Sequence, residues 1–112
     1  MQAIKLTVFP VKEITQATAL YTALLGQEPY VTAPYYVGFR VGDQEVGLDP
    51  NGHAAGLTGP LDYWQVDDIH ARLQAYVAAG ATCVQPVKAV GYGRLIATVK
   101  DADNNLIGLM QM

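Results

Sequence analysis

The chain has 112 residues, of which 51% are hydrophobic and 15% are charged, and this profile predicts one folded domain rather than a disordered chain. The net charge is −3 at pH 7, and the 7 Lys and Arg residues are scattered, which argues against nucleic-acid binding. No apolar stretch is long enough to span a bilayer. The single cysteine, Cys83, excludes an internal disulfide and a cysteine-rich zinc site, so we expect a reduced, cytoplasmic location.

The first half of the chain predicts a strand, a helix and a short strand. Residues 3–11 are rich in β-branched and aromatic residues, which is typical of a strand. An amphipathic helix follows over about 13–25 and ends at Gly26, while a short strand is predicted near 29–32. The apolar spacing of the helix predicts that it packs through Ile14, Ala17, Thr18, Tyr21, Leu24 and Leu25.

A β-hairpin is predicted over residues 35–41 and 44–49, closed by Gly42-Asp43. This register places Arg40 opposite Glu45, where the favoured interpretation is a cross-strand ion pair. The alternative is that either residue holds a charged group of a ligand. Alternation then assigns one face to the core, with Tyr35, Val37, Phe39, Val46 and Leu48. The other face is mostly polar around bare glycines and carries Tyr36, Gly38, Arg40, Glu45, Gly47 and Asp49.

The second half follows a linker over residues 51–60 that is rich in Gly and Pro. A strand over 61–66 precedes a helix that is capped by Asp67 or Asp68 and ended by Gly80. The helix is predicted to pack through Ile69, Leu73, Tyr76 and Val77. Further strands are predicted near 81–87, 94–99 and 105–111, and in the last turn Asn104 is the expected left-handed residue.

The two halves are related by an internal repeat. Residues 11–14 (VKEI) match residues 66–69 (VDDI) at an offset of 55, and the same offset pairs Tyr21 with Tyr76. The repeat predicts an α+β fold built from two tandem βαβββ modules, approximately 1–50 and 61–112, within a single domain.

Three segments carry a resemblance to a known family. They are residues 20–26 (LYTALLG), residues 61–69 (LDYWQVDDI), and GYGR at 91–94 followed by KDADNNL at 100–106. In order and spacing they resemble the glyoxalase, bleomycin-resistance and extradiol-dioxygenase superfamily, also called vicinal oxygen chelate proteins. The chain departs from the usual last turn at Ala102, where Pro is common, and at Asn104, where Gly is common.

The resemblance implies a curved mixed sheet around a cup, with helices outside, and a metal ligand on the first and last strand of each module. The corresponding positions here are Leu6, Gly47, Leu61 and Gly108. None of these side chains offers a lone pair to a cation. We therefore expect no metal site and no cofactor.

The predicted inner face is apolar with a few polar anchors, which suits a small organic ligand. The ligand-binding candidates are Tyr36, Arg40, Asp49, Tyr63, Gln65, Tyr92 and Met110. The alternative is that these apolar residues pack a filled core or a dimer interface. Cys83 is expected to be a buried strand residue, and neither His53 nor His70 is expected to be catalytic.

Three functions fit these features. The first is a metal-independent protein that sequesters or senses a flat organic or antibiotic-like ligand. The second is a lyase, isomerase or dioxygenase of the same superfamily, either with metal ligands at unexpected positions or with metal-free acid/base catalysis by residues such as Glu45, Asp49 or Tyr63. The third is a regulatory partner protein whose cup is closed by a second subunit. The resemblance also implies a homodimer.

Overall fold

The computed structural model describes residues 3–112, which form eight β-strands and two α-helices in the predicted order, an α+β fold. The predicted first module begins at Met1, but Met1 and Gln2 lie outside the described residues. The chain divides into two compact units, Lys5–Leu61 and a unit that contains residues 62–112 with Ala3 and Ile4. Each unit contains one βαβββ set of elements, while the module bounds 1–50 and 61–112 stay a prediction.

The first module contains four strands and one helix. These are β1 (Ile4–Pro10), α1 (Ile14–Leu25), β2 (Val31–Ala33), β3 (Tyr36–Val41) and β4 (Gln44–Asp49). Its strand order is β2-β3-β4-β1, in which β1 and β4 are parallel and the other neighbours are antiparallel. Arg40 lies opposite Glu45 and Val41 opposite Gln44, so the predicted hairpin register is confirmed.

The core of the first module lies between α1 and one face of its sheet. Val37, Phe39 and Leu48 are buried there, and α1 contributes Ile14, Ala17, Tyr21 and Leu25. Two predicted core residues are wrong, because Leu24 is 71% exposed and Tyr35 is 69% exposed. Leu24 lies at the edge of the apolar stripe of α1, and Tyr35 lies in the turn before β3, where strand alternation does not apply.

The second module repeats this arrangement. Its elements are β5 (Leu61–Gln65), α2 (Ile69–Ala78), β6 (Thr82–Ala89), β7 (Leu95–Lys100) and β8 (Leu106–Gln111). The strand order is β5-β8-β7-β6, with β5 and β8 parallel. Its core contains Val66, Ile69, Ala97 and Leu109, with Leu73 and Tyr76 of α2 packed against it. Val77, a predicted core residue, is 45% exposed, and at 100° per residue it lies at the edge of the apolar stripe of α2.

The start of α2 is held by a contact that crosses the module. Asp68 caps the helix, as one of the two predicted alternatives, because its Oδ1 accepts a hydrogen bond from the Ala71 amide at 3.2 Å. Gln111 Oε1 on β8 accepts a second one from the Ile69 amide at 2.9 Å. Two amides of the first turn of α2 therefore have hydrogen-bond partners.

Cys83 is exposed, so its predicted burial is wrong. It lies on β6, which is the edge strand of the second module and carries no buried residue. The apolar composition of this strand therefore does not imply that its residues are enclosed.

Neither of the helices formed by residues 3–112 has the length and hydropathy that crossing a bilayer requires.

The turn between β7 and β8 is organised by Asp101. Its carboxylate accepts hydrogen bonds from the Asn105 side chain, the Asn105 amide and the Asp103 amide, each at 2.9 Å. Asn104 has a φ of 66°, which confirms the predicted left-handed residue. The hydrogen bonds from Asn105, followed by that from Asp103, favour the charged carboxylate and lower the pKa of Asp101.

We expect Asn105→Ala to raise the pKa of Asp101 towards its ordinary value, because the largest cause of the lowering is removed. The stabilisation by Asp101 is present above the unfolded-state pKa and is lost as pH falls through the lower folded-state pKa. A carboxyl titration by NMR measures the shift. Asn104→Gly is the control, since it keeps the left-handed turn and these hydrogen bonds; an Asp101 pKa that is the same in wild type and Asn105→Ala would contradict the assignment.

Candidate functional site

The candidate site of the first module is the sheet face opposite α1. Val37, Phe39 and Leu48 point towards α1, so their neighbours along each strand point to the other side. This face carries Leu6, Val8, Tyr36, Gly38, Arg40, Glu45, Gly47 and Asp49. The predicted division of the hairpin into two faces is therefore confirmed apart from Tyr35.

Tyr36 covers the glycine in the middle of this face. A Cβ atom built on Gly47 would lie 2.7 Å from Cε1 and Cζ of the Tyr36 ring and would also collide with its hydroxyl. Such distances are shorter than real carbon contacts, so the ring occupies the room that a side chain at position 47 would need. Gly47 is buried although it has no side chain, because the ring of Tyr36 shields it.

The second module contains a similar pair, although its tyrosine comes from the first strand of the module and not from the third. Tyr63 on β5 lies beside Gly108 on β8 in the parallel register. A Cβ atom on Gly108 would lie 2.8 Å from Cγ of Tyr63 and 2.9 Å from the carbonyl oxygen of Asp62. The contacts here involve the base of the ring and the backbone, which cannot swing away. Each module thus packs a tyrosine against the glycine of its last strand.

These pairs decide whether the metal implied by the resemblance fits the residues present. Gly47 and Gly108 occupy two of the four ligand positions, and their side-chain space is filled by tyrosine rings. The other two positions are Leu6 and Leu61, which are aliphatic and 7% and 4% exposed. Within residues 3–112, no group of three or more His, Cys, Asp or Glu residues is placed to hold a metal ion. The donor set therefore does not fit a divalent cation.

Glu45 is the buried charged group of the face opposite α1, with 3% of its surface exposed. The Tyr30 hydroxyl donates a hydrogen bond to Glu45 Oε1 at 2.8 Å. Lys5 Nζ lies 3.9 Å from Glu45 Oε2 and donates a hydrogen bond to the Asp43 carbonyl at 2.9 Å. A buried carboxylate needs such partners, because burial without them would cost several kcal/mol.

Arg40 does not form the predicted ion pair with Glu45. Its guanidinium carbon lies 4.1 Å from the centre of the Tyr30 ring, in a cation–π contact, while Glu45 pairs with Lys5. Neither Tyr30 nor Lys5 was predicted as a site residue. Lys5 reaches Glu45 because β1 pairs in parallel with β4, with Leu6 opposite Glu45, and no local pattern reports that pairing.

The other predicted ligand residues are distributed over both modules. Asp49 shares the face of Tyr36 and Arg40, and its Oδ1 accepts a hydrogen bond from the Asn51 amide at 2.8 Å. In the second module, Tyr63, Gln65 and Met110 lie on one face, since Gln65 pairs with Met110 in register. Met110 is only 1% exposed, so an incoming molecule does not reach it in this conformation.

Tyr92 lies apart from these residues, in the turn Gly91–Gly93 between β6 and β7. It is 79% exposed and has a φ of 63°, a left-handed conformation that bulky residues rarely adopt. The structure gives no contact that joins Tyr92 to the other ligand-binding candidates within the described residues.

A separate groove of about 690 Å³ lies on the other side of the first module, between α1 and the strands β2 and β3. Four threonines and Glu28 supply its polar groups. The lining consists of Ile14, Thr15, Thr18, Ala19, Thr22, Glu28, Thr32, Ala33, Pro34 and Val37. Because Val37 points towards α1, this groove does not adjoin the face that carries Tyr36 and Arg40.

Comparison with known proteins agrees with this arrangement. A family model described as Glyoxalase/Bleomycin resistance protein/Dioxygenase superfamily matches residues 3–109. A search of curated proteins found no significant match. Solved structures with a similar fold include methylmalonyl-CoA epimerase from Mycobacterium tuberculosis, with a TM-score of 0.77 and 16% identity over 96% of this chain and 86% of that chain.

Two further solved structures have the same fold. Methylmalonyl-CoA epimerase from Streptomyces coelicolor, in complex with 2-nitronate-propionyl-CoA, has a TM-score of 0.79 and 13% identity over 97% of this chain and 93% of that chain. A glyoxalase/bleomycin resistance protein/dioxygenase superfamily member from Vibrio splendidus 12B01 has a TM-score of 0.70 and 17% identity, covering 99% of this chain and 98% of that chain. At these identities the likeness concerns the fold alone.

Proposed function

Because the chain belongs to the glyoxalase/bleomycin resistance protein/dioxygenase superfamily, we propose that it is a metal-independent protein that binds a small, flat organic ligand. The observation that carries this proposal is the pairing of Tyr36 with Gly47 and of Tyr63 with Gly108. Each pair replaces a metal-ligating side chain with an aromatic ring. Binding without covalent chemistry would sequester or sense the ligand.

The chemistry of the tyrosine rings favours a planar ligand. A tyrosine offers a flat apolar face for stacking and a hydroxyl for one hydrogen bond, and both Tyr36 and Tyr63 are half-buried. Apolar pockets with a few polar groups are typical of small-molecule sites. The epimerase from Streptomyces coelicolor was solved with an organic molecule bound, which supports the use of this fold for such ligands.

We expect the purified protein to contain no stoichiometric Ni, Zn, Fe or Mn, and we expect these ions not to raise its melting temperature. The physical reason is the absence of donor side chains at Leu6, Gly47, Leu61 and Gly108. Elemental analysis and thermal unfolding with each ion measure this directly. In the same thermal assay, a panel of flat aromatic compounds should include stabilising ligands, because a ligand that binds only the folded state raises its stability.

The two halves of this assay test different parts of the proposal. A stoichiometric metal in the purified protein would contradict the metal-independent function. A panel without any stabilising aromatic compound would contradict the binding of flat ligands. A metal-dependent superfamily member assayed in parallel provides the positive control for the ion measurements.

One observation favours a second candidate, an enzyme of the lyase, isomerase or dioxygenase type. Glu45 is a buried carboxylate that accepts a hydrogen bond from Tyr30, and a carboxylate in such surroundings is a candidate proton acceptor. Under this alternative, Glu45→Gln would abolish turnover while ligand binding persists.

Two further properties stay predictions. The resemblance implies a homodimer, and the single cysteine favours a cytoplasmic location.

A further inference from the structure

We propose that Arg40 binds an anionic group of the ligand, a carboxylate or a phosphate, at the end of the face opposite α1. This inference rests on the proposed small-molecule function and adds the charge of the ligand to it. It is argued from a cluster of four residues in the first module, Lys5, Tyr30, Arg40 and Glu45.

Glu45 and Tyr30 hold the buried part of this cluster in place. Glu45 is buried, and its two carboxylate oxygens are directed to Tyr30 and Lys5. The hydrogen bond from the Tyr30 hydroxyl at 2.8 Å sets the position of that ring. The ring also packs over Gly38, because a Cβ atom there would lie 3.1 Å from Tyr30 Cε1. Tyr30 is therefore a rigid platform.

Arg40 lies on this ring without an ion pair, although Glu45 is opposite it in the hairpin register. Its guanidinium lies 4.1 Å from the centre of the ring, and it forms no ion pair with any residue in the described range 3–112. A guanidinium in a cation–π contact keeps N–H groups that can donate hydrogen bonds to a ligand. These donors match a carboxylate or phosphate in a bidentate geometry.

The charge balance of the cluster is positive. Lys5 and Glu45 compensate each other, which leaves the charge of Arg40. Asp49 is the other carboxylate of this face, but it lies four residues further along β4, about 13 Å away at the rise of a strand. Its oxygen is also engaged by the Asn51 amide. The cluster of Lys5, Arg40 and Glu45 therefore carries one net positive charge, and Asp43 in the turn that closes the hairpin is the further exposed carboxylate at this end.

The position of Arg40 next to an aromatic surface defines the ligand class. Tyr36 lies on the same strand, β3, and its ring covers Gly47, which is paired with Gly38. Two tyrosines thus line the face beside a single free cation within the described part of this module's face. A planar molecule that carries one carboxylate or phosphate fits this combination of stacking and charge.

Isothermal titration calorimetry with three matched probes tests the proposal. They are 2-naphthoate, 2-naphthyl phosphate and the neutral 2-naphthamide, measured at low salt. We expect the wild-type protein to bind at least one anion about tenfold more tightly than the amide, and Arg40→Gln to abolish this preference. Arg40→Lys should retain part of it, because an ammonium keeps the charge but not the fork of donors.

Arg72→Gln is the matched control, since Arg72 is an exposed arginine on α2 of the other module. Circular dichroism of each variant confirms that the fold is kept. A preference for the carboxylate over the phosphate, or the reverse, identifies the anionic group. Equal binding of anions and amide by wild type, or an unchanged preference in Arg40→Gln, would overturn this inference alone. Failure of all three probes to bind would overturn the proposed function as well.

Discussion

Gly108→Ala is expected to destabilise the protein by about 2 kcal/mol, because overpacking a well-packed site costs about 1–3 kcal/mol. The new Cβ would lie 2.8 Å from Cγ of Tyr63 and 2.9 Å from the Asp62 carbonyl oxygen. Neither atom is at the free end of a side chain, so relief requires a shift of the strands β5 and β8. At about 4–8 °C per kcal/mol for a domain of this size, the melting temperature should fall by about 10 °C.

Two alanine variants serve as comparisons for Gly108→Ala. Gly59→Ala adds the same methyl group where no other atom lies within 4 Å, so its melting temperature should stay close to that of wild type. Gly47→Ala should have an intermediate effect, because the atoms it meets belong to the hydroxyl end of Tyr36, which can swing aside. Equal melting temperatures for Gly108→Ala and Gly59→Ala would show that Tyr63 does not fill this space.

Phe39→Ala is expected to lower the free energy of unfolding by about 3–5 kcal/mol, the range for removing a buried aromatic ring. Phe39 is 0% exposed and lies between α1 and the sheet of the first module, in contact with the cluster of Val37 and Leu48. Because many small domains are stable by only about 5–15 kcal/mol, this loss is a large fraction of the total. Urea unfolding followed by circular dichroism measures it.

Tyr35→Ala is the matched control for this aromatic deletion. Tyr35 was predicted to share the core face with Phe39 but is 69% exposed, so its removal should change stability by less than about 0.5 kcal/mol. The contrast between the two variants tests the division of the hairpin into a core face and a ligand face. A loss below about 1 kcal/mol for Phe39→Ala would contradict the packing of α1 on β3.

The two glycine–tyrosine pairs also bear on how the superfamily site differs in this chain. Replacing Gly47 by a metal-ligating residue would require Tyr36 to move, and replacing Gly108 would require Tyr63 and the backbone of β5 to move. A single substitution at either glycine therefore cannot supply a ligand without disturbing its neighbour. At each glycine, the addition of a side chain and the displacement of a tyrosine ring are therefore physically coupled.

The candidate site was predictable only in part. Alternation along the hairpin placed Tyr36, Arg40 and Asp49 on one face, and the register of that hairpin is confirmed. The predicted partner of Arg40 was wrong. Arg40 contacts Tyr30, from the segment before β2, and Glu45 pairs with Lys5 of β1. Neither residue is a neighbour of Glu45 in sequence, and their approach depends on how the strands assemble.

Local sequence patterns were sufficient to predict the order of strands and helices, the hairpin at Gly42-Asp43 and the left-handed turn at Asn104, because periodicity and turn propensity act over a few residues. The contacts between distant residues became visible only in the folded chain. Parallel pairing brought Lys5 to Glu45, β8 brought Gln111 to the start of α2, and an edge position left Cys83 exposed. Such contacts depend on which strands become neighbours, and local sequence patterns do not carry that information.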